Sequence, residues 1–178
     1  MLTPGDVIEI PLPDGRSAAG QYLGDEPNLG PLLQVYDRIA VGPLQVADLE
    51  AARPLFPPVA VDLSGAVTRG EWRLAGSLPL GEVERPKFVS ARYSDKTGVV
   101  FAWFLWEASV GTALGPVLPQ AQRGLEYRVL WSPADIVERI QTGQVPFPYG
   151  DLLRDNTFVP RRPANSSRSF WDWFRRRV

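Results

Sequence analysis

Histidine and cysteine are both absent from the 178 residues, and methionine occurs once, at position 1. Without cysteine there is no disulfide framework, no thiolate nucleophile and no cysteine-ligated zinc or iron–sulfur cluster. Without histidine there is no Ser-His-Asp triad, no imidazole metal ligand and no imidazole proton shuttle near neutral pH. Long hydrophobic runs are missing too. The longest, Val99 to Trp106, has eight residues, where a spanning helix needs about 20.

The groups left for chemistry are carboxylates, Lys, Tyr, Ser, Thr and Arg. A carboxylate-only hydrolase or an oxygen-ligated magnesium or calcium site stays open on these grounds. The closest acidic pairs, Asp25-Glu26 and Glu82/Glu84, stand beside Gly or Pro in turn-like sequence, where exposure leaves carboxyl pKa values ordinary. Glycine-rich phosphate loops and the GxSxG nucleophile elbow are absent as well. The sequence therefore predicts no catalytic set, no metal and no cofactor.

Proline and glycine are plentiful, at 18 and 16. They cut the chain into short segments, which predicts a β-rich α+β domain: one curved, mainly antiparallel, barrel-like sheet with a few short helices and a C-terminal arm. Apolar and charged fractions of 44% and 22% suit a globular chain of one-domain size. Ile8, Ile10 and Leu12 alternate on one face of a first strand. Asp14-Gly15 then turns the chain into a second strand, whose Ala18-Ala19-Gly20 admits a close neighbour or marks a bulge. Further strands are expected at 32–38, 59–63, 72–78, 88–93, 99–106 and 126–131. The stretch 99–106, apolar on both faces, should be central and covered on each side. Helices are expected at 46–53 and 64–69, and most clearly at 133–142. There Ser132 can cap, Pro133 opens, Ile136, Val137 and Ile140 form the apolar stripe, and Gly143 ends it.

After Gly143 the texture changes, so residues 1–143 are expected to form the domain and 144–178 a Pro-rich arm with a terminal amphipathic segment. Phe170, Trp171, Trp173 and Phe174 precede Arg175, Arg176 and Arg177 in it. Fold-back onto the domain is the expected role, since nine residues would anchor only weakly to a membrane. Charge follows the same division. Residues 1–50 hold eight acids and two bases, and residues 154–178 hold seven arginines and two acids. On a chain of pI near 5.5, such a tail is expected to meet protein or self, not nucleic acid. The opening residues have neither the basic nor the apolar region of a secretory leader, so cytoplasmic residence is expected.

Several segments, taken in order, resemble the immunity protein 26 family of bacterial polymorphic toxin systems. They are Pro4-Gly5-Asp6-Val7-Ile8-Glu9-Ile10-Pro11-Leu12-Pro13-Asp14-Gly15-Arg16 with Ala18-Ala19-Gly20, then Val35-Tyr36-Asp37. Gly70-Glu71-Trp72-Arg73-Leu74-Ala75-Gly76 follows, with Leu78-Pro79-Leu80, and finally Val129-Leu130-Trp131-Ser132-Pro133-Ala134-Asp135-Ile136-Val137-Glu138-Arg139-Ile140. The similarity spans roughly residues 3–142. It implies a non-catalytic inhibitor that binds a cognate toxin in the cytoplasm, with Trp72 and Trp131 as core anchors.

Many toxins of such systems are nucleases, whose phosphate-binding clefts are cationic, so an inhibitor can occupy them with carboxylates. The acids of the amino-terminal 50 residues are the candidates for that role: Asp14, Asp25, Glu26, Asp37 and Asp48, with Tyr36 as an aromatic anchor. The competing expectation is a β-rich module that binds a glycan or peptide in a groove lined by Trp72, Trp103 and Trp106.

Overall fold

The computed structural model describes residues 1–49, 51–81, 85–94 and 96–156. Glu82, Glu84 and the aromatic–arginine segment 169–178 lie outside these described residues. The first half of the chain runs through β1 (Asp6–Pro11), β2 (Arg16–Glu26), β3 (Gly30–Val41), β4 (Val59–Val61), α1 (Leu63–Thr68) and β5 (Arg73–Ser77). The second half adds β6 (Lys87–Tyr93), β7 (Val100–Glu107), β8 (Val110–Gly115), β9 (Glu126–Tyr127), β10 (Leu130–Trp131), α2 (Pro133–Thr142) and α3 (Tyr149–Asp155). The class is α+β and β-rich, as the sequence predicts.

The strands form two sheets, ordered β10-β4-β3-β2-β1-β5 and β8-β7-β6-β9. Both are antiparallel except for one short pair each, β10 with β4 and β9 with β6. The single barrel-like sheet expected from the sequence is thus divided, and it does not close. The division falls inside 126–131, which reads as one strand. Between its halves the Val129 N–H bonds back to the Tyr127 carbonyl at 2.9 Å. That three-residue turn steps the chain from one sheet to the other.

Ile8, Ile10 and Leu12 lie together in the main core, as their alternation predicts. Leu33, Val35, Val59 and Val61 join them from neighbouring strands, and Ile136 and Ile140 from α2. Trp72 and Trp131 are 3% and 2% exposed and anchor this core. Helix α2 has the start read from its sequence: the Ser132 hydroxyl accepts from the Asp135 N–H while Asp135 accepts from the Ser132 N–H. Such a reciprocal cap contributes about 1 kcal/mol. Gly143, at φ +68°, ends the helix. The helix expected over 46–53 contracts to a 3-10 turn at Val46–Leu49.

Two glycines of the recognised opening have specific structural work. Gly5 sits at φ +102°, and a Cβ there would lie 2.9 Å from the Leu78 carbonyl oxygen, a backbone atom that cannot move aside cheaply. A Cβ on Gly20 would lie 2.8 Å from the Leu33 side chain. The small residues of β2 therefore accommodate Leu33, and a bulge also falls between Ala18 and Gly20.

The second sheet corrects the expectation for 99–106. Its β7 is an inner strand, yet neither face is covered along its whole length. Trp103 is completely buried with Val89, Tyr127 and Leu152, whereas Phe101 is 59% exposed. The cause is a register shift opposite Arg92 and Tyr93, which leaves Phe101 without a partner and turns it outward. Residues 149–155, within the expected Pro-rich arm, form α3. Leu152 is fully buried, and the Tyr149 ring packs 4.3 Å from Tyr127 and 5.4 Å from Trp131.

Candidate partner-binding surface

The acidic candidates do not share one patch. Asp14 stands at one end of β2 and Asp25-Glu26 at the other, about 30 Å apart for a strand of this length. Asp14 is exposed and paired with Arg16 at 2.7 Å, and that guanidinium holds its carboxyl below the usual range. Asp37, on β3, is exposed and accepts the Arg53 N–H at 2.9 Å. Asp48 is exposed on the 3-10 turn that packs over β3 and β5. Tyr36 is half-buried, and its hydroxyl donates to Gln21 Oε1 at 2.7 Å. Burial pushes that phenol up from its ordinary pKa.

The β2–β3 hairpin tip is organised differently. Asp25 is exposed and accepts the Tyr22 hydroxyl proton at 2.8 Å. Burial first, and the Asp25 carboxylate second, push the Tyr22 phenol up to about 12. Glu26 corrects the expectation of an exposed acid, because it is only 3% exposed and its Oε1 is buried without a partner among the described residues. Leu29, Leu32, Phe88 and Trp106 form an apolar cluster beside it.

Arg128 closes this arrangement from the link between β9 and β10. Its Nη2 donates to the Pro27 and Asn28 carbonyls at 3.3 and 3.2 Å, and its guanidinium lies 4.4 Å from the centre of the Trp106 ring. Trp106 in turn donates from Nε1 to the Ser90 hydroxyl at 2.8 Å. Farther along the same face, Arg92 stands 5.3 Å from the Phe104 ring centre. Phe104 and Trp106 are both half-buried. The tip therefore presents an exposed carboxylate, Asp25, while its Pro27-Asn28 turn meets, through Arg128, a face of two aromatics and two arginines. Trp and Arg are the residue types that most often anchor protein interfaces.

Of the three tryptophans proposed for a groove, Trp72 and Trp103 belong to the core, and only Trp106 reaches this surface. Sequence patterning missed Arg92, Phe104 and Arg128 as surface neighbours, since nothing local pairs residues 28, 106 and 128. A separate cleft of about 470 Å³ lies by Val145, Gly150 and Leu153. Its cations are already engaged: Arg154 pairs with Asp151, and Arg123 donates to the Leu118 and Arg154 carbonyls. Among the described residues no three Asp or Glu converge to hold a metal ion, and no helix is long and apolar enough to cross a membrane.

The two most shifted phenols give a testable pH dependence. Tyr127, buried against the Ala91 backbone, is also pushed up to about 12, chiefly by burial. In both residues the neutral phenol is favoured in the folded chain. Their contribution to stability is therefore intact below pH 10 and is lost as the pH climbs from 10 toward 12. Tyrosinate absorbance is expected to show Tyr22 and Tyr127 still protonated well above pH 10, with unfolding setting in as they ionise. Titration of all five tyrosines near pH 10 in the folded chain would contradict it.

Comparison with known families decides what kind of protein carries this surface. The family model described as Immunity protein 26 matches residues 3–97, more than half of the chain. The chain belongs to that family. No curated protein and no solved structure matches it. The Immunity protein 26 match covers β1 to β6, with Asp25, Glu26, Ser90 and Arg92 inside it. Phe104, Trp106, Arg128 and the segment 129–140 lie beyond the matched range. The candidate surface therefore joins residues from within the Immunity protein 26 match to residues outside it.

Proposed function

We propose that this Immunity protein 26 chain binds a cognate toxin in the cytoplasm and neutralises it by occlusion, with no chemistry of its own. The observation that carries this reading is the family match over residues 3–97. The hairpin tip supports a location for the interface. Asp25 supplies negative charge to a cationic cleft, such as the phosphate-binding site of a nuclease, while Trp106 and Phe104 supply apolar anchors. Glu26 supports the tip from beneath and does not meet the partner directly, because it is buried.

Asp14, Asp37 and Asp48 take a secondary role in this proposal, steering association through the field of the acidic amino-terminal half. The test is co-purification of the tagged chain with the toxic domain encoded beside it. A one-to-one complex that weakens as salt rises supports the proposal. Failure of the purified chain to bind that domain at low salt would overturn it.

A further inference from the structure

The outer strand β8 carries an inference that is independent of the toxin-binding surface. Three of the four sheet edges are blunted. The end strands β9 and β10 have two residues each, and β5 carries Arg73, a register shift against β1, and Val46 seated over Gly76. Short strands, charges, bulges and covering loops are the usual protections of sheet edges. Among the described residues, strand β8 has no charge and no covering loop from its turn to Ala113, and its one register shift against β7 lies beyond that, at Leu114. Its six residues, Val110 to Gly115, contain no charge and no proline, and Val110 to Ala113 are all exposed.

The outward hydrogen-bonding groups follow from the hairpin. Glu107 and Val110 flank the two-residue turn Ala108-Ser109, with Ala108 at φ +51°. The pair flanking such a turn exchanges both backbone bonds, and bonded pairs then alternate. Val110 and Thr112 thus bond to β7, whereas Gly111 and Ala113 direct their N–H and C=O groups away from the sheet. We propose that β8 pairs antiparallel with β8 of a second copy about a twofold axis at Thr112, joining the two four-stranded sheets into one of eight strands.

Three features favour a second copy as the occupant. With Thr112 on the axis, Gly111 of each copy stands opposite Ala113 of the other, so the outward groups satisfy one another in four hydrogen bonds. No like charges meet, because β8 is neutral and the nearest charge, Glu107, is paired with Lys87 at 2.6 Å. The exposed apolar residues also match head to tail. Val110, 68% exposed, marks one end of β8, while Phe101 and Val117, 59% and 58% exposed, flank the other. Antiparallel pairing brings the first beside the second pair twice over.

An edge contact of six residues buries less than the roughly 1,200–2,000 Å² of a standard interface, so dimerisation in the micromolar range is expected. Sedimentation equilibrium of the full chain should show a reversible dimer. Thr112→Lys, which sets like charges on the axis, should weaken it about tenfold or more. Ala113→Pro, which removes an outward N–H and leaves the bonds to β7, should do the same. Both variants should melt with the wild type. The cysteine-free chain offers a second readout, because a non-bonded antiparallel pair has Cα atoms about 4.5 Å apart, within disulfide reach. Thr112→Cys should oxidise to a covalent dimer much faster than a Gln45→Cys control at another exposed site. A wild-type chain monomeric up to about 500 µM, well above that range, or equal cross-linking of the two cysteine variants, would overturn the proposal.

Discussion

Replacing Arg139 with methionine is expected to destabilise the fold by about 3–5 kcal/mol, the usual effect of stranding a buried charge. Arg139 donates through Nη1 and Nη2 to the two carboxylate oxygens of Glu126, at 2.7 and 2.6 Å. The side chains are 7% and 5% exposed, and the guanidinium also lies 4.0 Å from the Phe56 ring centre. Glu126 belongs to β9 of the second sheet, while α2, which carries Arg139, packs its Ile136 and Ile140 into the core of the first. The pair is therefore a buried polar joint between the two sheets.

Removing the arginine leaves the buried Glu126 carboxylate without its guanidinium partner. Arg139→Lys should recover only part of the loss, because an ammonium cannot engage both oxygens in the same planar fork. Combining Glu126→Leu with Arg139→Met should recover most of it, since both desolvated charges then disappear together. Urea denaturation of the four proteins tests the set. A single Arg139→Met variant within about 1 kcal/mol of wild type, far below the usual cost of breaking a buried pair, would show that the pair is not buried as described.

The second large effect is expected at the proposed toxin interface. Asp25→Lys should weaken toxin binding by about 2–5 kcal/mol, or roughly 30-fold to several-thousand-fold in Kd, if the carboxylate meets a desolvated cation. Tyr22→Phe separates charge from shape, because it removes the hydroxyl that bonds to Asp25 and keeps the carboxylate. Its effect on affinity should be small. Reversals at Asp14, Asp37 and Asp48 should mainly slow association and soften its salt dependence, as rim charges do. Equal affinities for wild type and Asp25→Lys, measured calorimetrically at low salt, would remove the hairpin tip from the interface.

Local chemistry made part of this molecule legible before any fold was known. Asp14-Gly15 specifies its turn, Ser132-Pro133 opens α2 and Gly143 closes it, because each depends on only a few adjacent residues. The partition into two sheets was not legible, since it hangs on one backbone bond from Val129 to Tyr127 within a stretch, 126–131, that reads as one strand. Strand β8 was missed because Val110-Gly111-Thr112-Ala113-Leu114-Gly115 has no alternation and is held only by β7. Glu26 sits in the sequence Asp25-Glu26-Pro27-Asn28, which has every mark of an exposed turn. Arg128, 101 residues beyond Pro27, closes over this turn by bonding the Pro27 and Asn28 carbonyls, and no local rule connects them.

Immunity itself is tested most directly in living cells. The toxic domain encoded beside this chain should arrest growth when expressed alone, and co-expression of the wild-type chain should restore it. Asp25→Lys, present at the same level and equally folded, should restore it poorly. Continued arrest in the presence of abundant, folded wild-type chain would contradict the immunity function.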